Sequence, residues 1–219
     1  MAGFAVLFFF LLVLATPVLG LYFVCRWLRT RWVNAGGEQR GERIAIVLAG
    51  ALAICSPYLL FKAYELHFVL SRVPEPLRVF WIEYRLEQSW GIGLPGDKET
   101  GFVVYIMTDR SAEWARNQGQ NLGASLPGGS TSWHQTPVDE SGTHNRWHHY
   151  DSASASRRHA ANLKEYLDKY GFSIPLGNGR DIEINDAIQH PGSFYSYGRG
   201  GSVTVVDPKR GKIYFAYAG

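Results

Sequence analysis

The sequence predicts an α+β fold. A two-helix transmembrane hairpin comes first, then an extracytoplasmic domain with two or three helices on a mainly antiparallel sheet that ends in a C-terminal β-hairpin. Three observations carry this. Two long uncharged apolar runs occupy the first quarter of the 219 residues. Beyond them the chain becomes polar and aromatic-rich, with helical and strand periods interleaved. Its end reads as two strand-like runs around a turn containing Pro and Gly.

The first run, Ala2 to Cys25, has no charge and exceeds the roughly 20 residues a hydrocarbon core requires. The second runs from Ile44 to Phe61, and a partly apolar stretch extends it through Leu70. Pro17 and Pro57 fall inside the spans, where proline is tolerated as a mild kink. An anchor over residues 1–63 follows, with spans at about 2–25 and 44–61 and a loop at 26–43. That loop holds Arg26, Arg29, Arg31, Arg40 and Arg43 against Glu38 and Glu42, and no Lys or Arg precedes the first span. The positive-inside rule puts the loop in the cytoplasm. In a bacterial inner membrane, the N-terminus and the C-terminal domain would then be periplasmic, in a multi-pass, two-span arrangement. Val18-Leu19-Gly20 offers a signal-peptidase reading instead, but no positive n-region precedes it.

Ala45, Ala49 and Ala53 recur at four-residue spacing on the second span, a stripe that lets another helix backbone approach closely. Its expected partner is the first helix of the same chain. Cys25 and Cys55, the two cysteines, would differ in depth by on the order of 16 Å at the helical rise, too far for a disulfide.

Residues 64–100 read as a juxtamembrane linker with an amphipathic segment. Leu77, Phe80, Trp81 and Tyr84 follow helical spacing, while the β-branched and aromatic content is also compatible with a strand. The domain proper is expected over 101–219. Gly101 to Thr108 predicts a buried strand. Asp109 or Ser111 would cap the next helix, which ends near Gly119–Gly123. Residues 124–145, rich in Ser, Gly, Thr and Pro, predict a long surface loop. Arg146 to Tyr150 suits a short strand. From Ser154 or Ser156 to Tyr170 a helix is expected, with Ala160, Leu163, Tyr166, Leu167 and Tyr170 on one face and Gly171 at the stop. Asp181 to Asn185 alternates like a half-buried strand. Ser202–Val206 and Ile213–Tyr217 form the final hairpin.

Charge excludes one class of function. The chain carries a formal net charge of +3, but seven basic and three acidic residues precede Val73, leaving 15 Lys/Arg against 16 Asp/Glu after it. The basicity belongs to the anchor, so a phosphate-tracking surface and a nucleic-acid partner have no support.

Candidate chemistry centres on His144, Trp147, His148, His149 and Asp151, flanked by His134 and His159. His144, His148 and Asp151 are the alternative metal ligands, yet no His-Glu-x-x-His motif occurs and no cysteine lies in the domain. No metal or other cofactor is therefore expected. A hydrolase using His144, His148 and His149 lacks a Gly-x-Ser-x-Gly nucleophile. The glycine-containing loop Ser125 to Ser132 lacks the Gly-Lys-Ser/Thr ending of a phosphate loop. Tyr197-Gly-Arg-Gly-Gly201 reads as a turn.

Surface recognition is what this leaves. Trp133, Trp147, His148, His149 and Tyr195 are predicted to form an exposed protein-binding patch, because Trp, Tyr and Arg anchor interfaces. The function class expected is a non-enzymatic protein-binding module held at the bilayer. Two roles suit it: an immunity protein neutralising a toxin in the periplasm or at the inner membrane, or an accessory subunit of a cell-envelope complex. The choice of the first rests on architecture alone.

Overall fold

Phe102, Val103, Val104 and Tyr105 are consecutive and all buried, which a strand sustains only where both faces of its sheet are covered. They belong to β2 (Lys98–Met107) of a six-stranded sheet. The other strands are β1 (Val79–Trp90), β3 (His134–Gln135), β4 (Phe194–Tyr197), β5 (Ser202–Asp207) and β6 (Lys212–Ala218). Their order is β1-β2-β6-β5-β4-β3, and every neighbouring pair is antiparallel. The computed structural model describes residues 22, 26, 27, 29, 30, 40–90, 98–138, 147, 160–171, 173–177 and 179–219. They divide into a unit ending at Leu70 and a unit from Ser71 to Gly219. The second is an α+β domain, as the sequence predicts. Its sheet begins at β1, so the strands start well before residue 101.

In the first unit, α1 (Arg40–Leu70) is a single helix of 31 residues with Pro57 inside it. It contains the second apolar run. The side chains of Ala45, Ala49 and Ala53 lie outside the described residues, and so does the first run apart from Tyr22. Among the described residues no helix is long and apolar enough to cross a membrane.

Alternation along the strands divides the domain into two layers. Phe102, Val104, Tyr195, Val203, Val205, Tyr214 and Ala216 share one face. Against it pack α5 (Leu163–Asp168) and α6 (Ile182–Gln189), through Leu163, Tyr166 and Leu167 and through Ile184, Ala187 and Ile188. Phe194 precedes Tyr195 and so points to the opposite face. There it meets the short helix α3 (Leu122–Ser125): a methyl placed on Gly123 would lie 3.2 Å from the Phe194 ring and 3.3 Å from Trp133 Cβ. On the same side, α2 (Asp109–Gln118) brings Ala112 beside Gly211 of the β5–β6 turn.

Two tyrosines of the core differ in a way that can be measured. The Tyr166 hydroxyl donates to the Gly201 carbonyl at 2.7 Å. The Tyr214 hydroxyl is buried and has no hydrogen-bond partner among the described residues. Tyr166→Phe is expected to cost about 1 kcal/mol, whereas Tyr214→Phe should be neutral or stabilise by up to about 1 kcal/mol, because it removes an unsatisfied buried group. Urea unfolding of both variants checks the pair; equal losses would contradict it. Gly201 itself cannot be replaced cheaply, since its φ is +67° and a side chain there would run into the Ala218 carbonyl oxygen.

Several segments depart from expectation. Leu77 to Glu87, given helical spacing above, is mostly strand β1. Register shifts fall between Val79 and Trp81 and between Ile82 and Tyr84. Each bulge inserts one extra residue, so the aromatic positions lose a period of two and imitate a helical one. Asp181 to Asn185 is not a strand but the start of α6. The cap of α2 is Thr108, whose side chain accepts from Ser111 N. The described part of the expected loop, 124–138, holds α4 (Gly129–Ser132) and β3 besides the last residues of α3. The expected helix from Ser154 is described only as α5, capped by Asn162.

Candidate functional site

Burial separates the predicted patch into core residues. Trp147 is fully buried, its ring 4.8 Å from that of Tyr166. Trp133 is 7% exposed, and its indole N–H donates to the Pro127 carbonyl at 3.0 Å. Tyr195 is 6% exposed, between His134 at 5.4 Å and Tyr197 at 5.6 Å. These three do not form an exposed surface. Small polar residues around Trp133 let short helical turns fold over it, which composition alone misreads as a solvated loop. His144, His148, His149 and Asp151 lie outside the described residues. Among the described residues no group of three or more His, Cys, Asp or Glu is placed to hold a metal.

The acidic residues of α6 serve the fold. Asp181 pairs with Lys164 at 3.0 Å, and Glu183 with Lys212 at 2.5 Å. Asp186 pairs with Arg210, which also donates to buried Asp207 at 2.7 Å. Together these pairs tie α6 to α5 and to the β5–β6 hairpin.

A second ionic group lies on the sheet face opposite the α5–α6 core. Glu87 accepts from Arg72 at 2.5 Å, from Arg85 at 2.5 Å and from the Tyr217 hydroxyl at 3.0 Å. The Arg72 guanidinium lies 4.8 Å from the Phe215 ring centroid and 5.1 Å from that of Tyr217. Burial alone would raise the Glu87 pKa. The bonds from Arg72 and Arg85 outweigh it and hold the carboxyl below its ordinary value of 4.5. A carboxyl lowered in this way stabilises the fold above its unfolded value, and that contribution is lost as pH falls through the folded one. Stability should therefore drop below about pH 4.5, and Glu87→Gln should flatten that drop while costing roughly 1.5–3 kcal/mol at neutral pH. Urea midpoints from pH 3 to 7 check both statements; an unchanged slope in the variant would refute them.

Among the described residues lies a cleft of about 520 Å³, within the size range of small-ligand sites. One wall is the end of α2 with the turn that follows, contributing Arg116, Gly119 and Gln120. The opposite wall is Gln135 and Thr136 of the β3 edge, and Pro191 to Phe194 leading into β4. Pro208 and Lys209 of the β5–β6 turn close one side.

Hydrogen bonds pin these walls together. Arg116 Nη1 donates to the Pro208 carbonyl at 3.3 Å, and Gln135 Nε2 to the Gln120 carbonyl at 3.2 Å. The buried Thr136 hydroxyl donates to the His190 carbonyl at 2.7 Å and accepts from Ser193 N at 3.0 Å. The cleft is thus built before anything binds, which lowers the ordering cost of binding.

Among the described residues the lining includes no His, Cys, Asp or Glu; its polar side chains are those of Arg116, Gln120, Gln135, Thr136, Ser193 and Lys209. Arg116 and Lys209 are the charged residues of the lining, both exposed and both cationic. No motif announces this site, because its walls come from four segments far apart in sequence. The local signals are the Pro191-Gly192 and Pro208-Lys209 turns. No family model, curated protein or solved structure matches the chain.

Proposed function

We propose that the chain is a membrane-anchored protein-binding module whose domain from Ser71 onward works outside the cytoplasm. The observation carrying the recognition role is the prebuilt cleft with its two exposed cations. The most specific form of the reading is an immunity protein that neutralises a toxin acting in the periplasm or at the inner membrane. An accessory subunit of a cell-envelope complex is the alternative.

The anchor is supported by α1. Tyr58, Leu59, Leu60 and Phe61 are consecutive, about 100° apart around the helix, and each is more than half exposed. That turn of α1 is apolar around most of its circumference, which favours an apolar surrounding such as a bilayer supplies. The arginine-rich loop at 26–43 supports the orientation.

Two experiments test the proposal. Reporter fusions at Gly36 and after Gly219 are expected to give cytoplasmic fluorescence at the first and periplasmic phosphatase activity at the second; the reverse pattern overturns the orientation. Purification from solubilised membranes should recover a stoichiometric protein partner, and deletion should sensitise the host to a toxin. A partner recovered without any change in sensitivity favours the accessory subunit, whereas neither result leaves the binding role without support.

A further inference from the structure

The cations of the domain are not treated alike. Arg72, Arg85, Lys164, Arg180, Arg210 and Lys212 each pair with a carboxylate. Like Arg78, Arg110 and Arg199, the two cations of the cleft have no ion pair among the described residues: Arg116 bonds the Pro208 carbonyl through one nitrogen, and Lys209 stands exposed beside it. The bond to Pro208 fixes the Arg116 fork and leaves further donors for a planar anion. Between these charges the floor is apolar, formed by Ala115 and Phe194. A volume of about 520 Å³ is more than a lone inorganic anion fills.

The sheet edge adds a third feature. Thr136 N donates to Ser193 O, so antiparallel alternation turns the main-chain N–H and C=O of Gln135 away from β4. Neither has a partner among the described residues, and β3 is the last described strand of the sheet. An open edge of this kind pairs with extended polypeptide. A nucleic-acid strand fits poorly, because no Trp or Tyr lines the cleft and the domain from Val73 onward is slightly acidic overall.

We propose that the cleft takes an extended, acidic segment of the partner polypeptide, with a carboxylate held by Arg116 and Lys209 and its main chain paired to Gln135. This rests on the protein-binding reading above. It is tested in the full-length chain in host membranes, with a photo-crosslinking amino acid at Gln120 or, as a control, at Ile182, which is 67% exposed on α6.

The expected result is an adduct at Gln120 that maps to a partner segment containing Asp or Glu. Reversing both charges in R116E/K209E should reduce the yield by roughly tenfold, at unchanged protein level. R116K/K209R should retain the adduct. Exchanging the partner's acidic residue for Lys should restore it in the reversed variant. An adduct that maps to a segment without carboxylates, to lipid or to a small molecule overturns the proposal, as does one indifferent to charge reversal. Adducts only at Ile182 also overturn it, while leaving the protein-binding reading intact. Adducts at neither position, with no co-purifying partner, remove both.

Discussion

Replacing Trp147 by alanine is expected to destabilise the domain by about 3–5 kcal/mol, the range for truncating a large aromatic inside a core. Its side chain is fully buried and packs at a tilt of 48° against Tyr166. It shares its cluster with Phe102, Val104, Leu163, Ile184 and Tyr214. Such a loss is a large share of the roughly 5–15 kcal/mol that holds a domain together, so the variant should unfold at far lower urea. Phe80 supplies the control. It is also a large aromatic but is 79% exposed, and Phe80→Ala should stay within about 0.5 kcal/mol of the parent. Urea unfolding of the solubilised chain followed by circular dichroism reads both. A Trp147→Ala loss below about 1 kcal/mol would return this residue to the surface and reopen the aromatic patch as a binding site. At the predicted size, by contrast, any loss of partner binding in Trp147 variants reports unfolding and not contact.

Which parts of this domain can be read from sequence follows from how many constraints act on each. In β5 and β6, Val203, Val205, Tyr214 and Ala216 occupy one face at a strict period of two, and Asp207-Pro208 starts the turn between them. Period and turn chemistry agree there, so the hairpin is legible. In β2 the unbroken apolar run is legible because two covering layers remove any need for polar alternation. Where tertiary structure overrides period, legibility fails. Bulges at Phe80 and Glu83 scramble β1. Trp133 is hidden among serines and glycines because short helices with little apolar character of their own still close over it. The cleft is harder still. Arg116, Gln135, Pro191 and Lys209 become neighbours only once the sheet has ordered β3, β4 and the β5–β6 turn side by side.

The second large effect separates two readings of one segment. As a strand, Asp181 to Asn185 would place Ile182 and Ile184 on the same face, and their truncations would cost about the same. In α6 they are about 200° apart around the helix. Ile184 joins Ala187 and Ile188 in the buried stripe at i, i+3 and i+4, with no exposure, whereas Ile182 is 67% exposed. Ile184→Ala is therefore expected to cost about 2–5 kcal/mol, and Ile182→Ala no more than about 0.5 kcal/mol. The polar partners agree with the helix. Glu183 reaches Lys212, Asp186 reaches Arg210, and Asn185 accepts from Leu163 N at 2.9 Å, so the polar residues of α6 also have partners in the domain. Equal losses at 182 and 184 would restore the strand and detach these ion pairs from the hairpin that carries Lys209. Unequal losses in the stated order fix the scaffold on which one wall of the cleft depends, since α6 ends at Gln189 and only its cap, His190, separates it from Pro191.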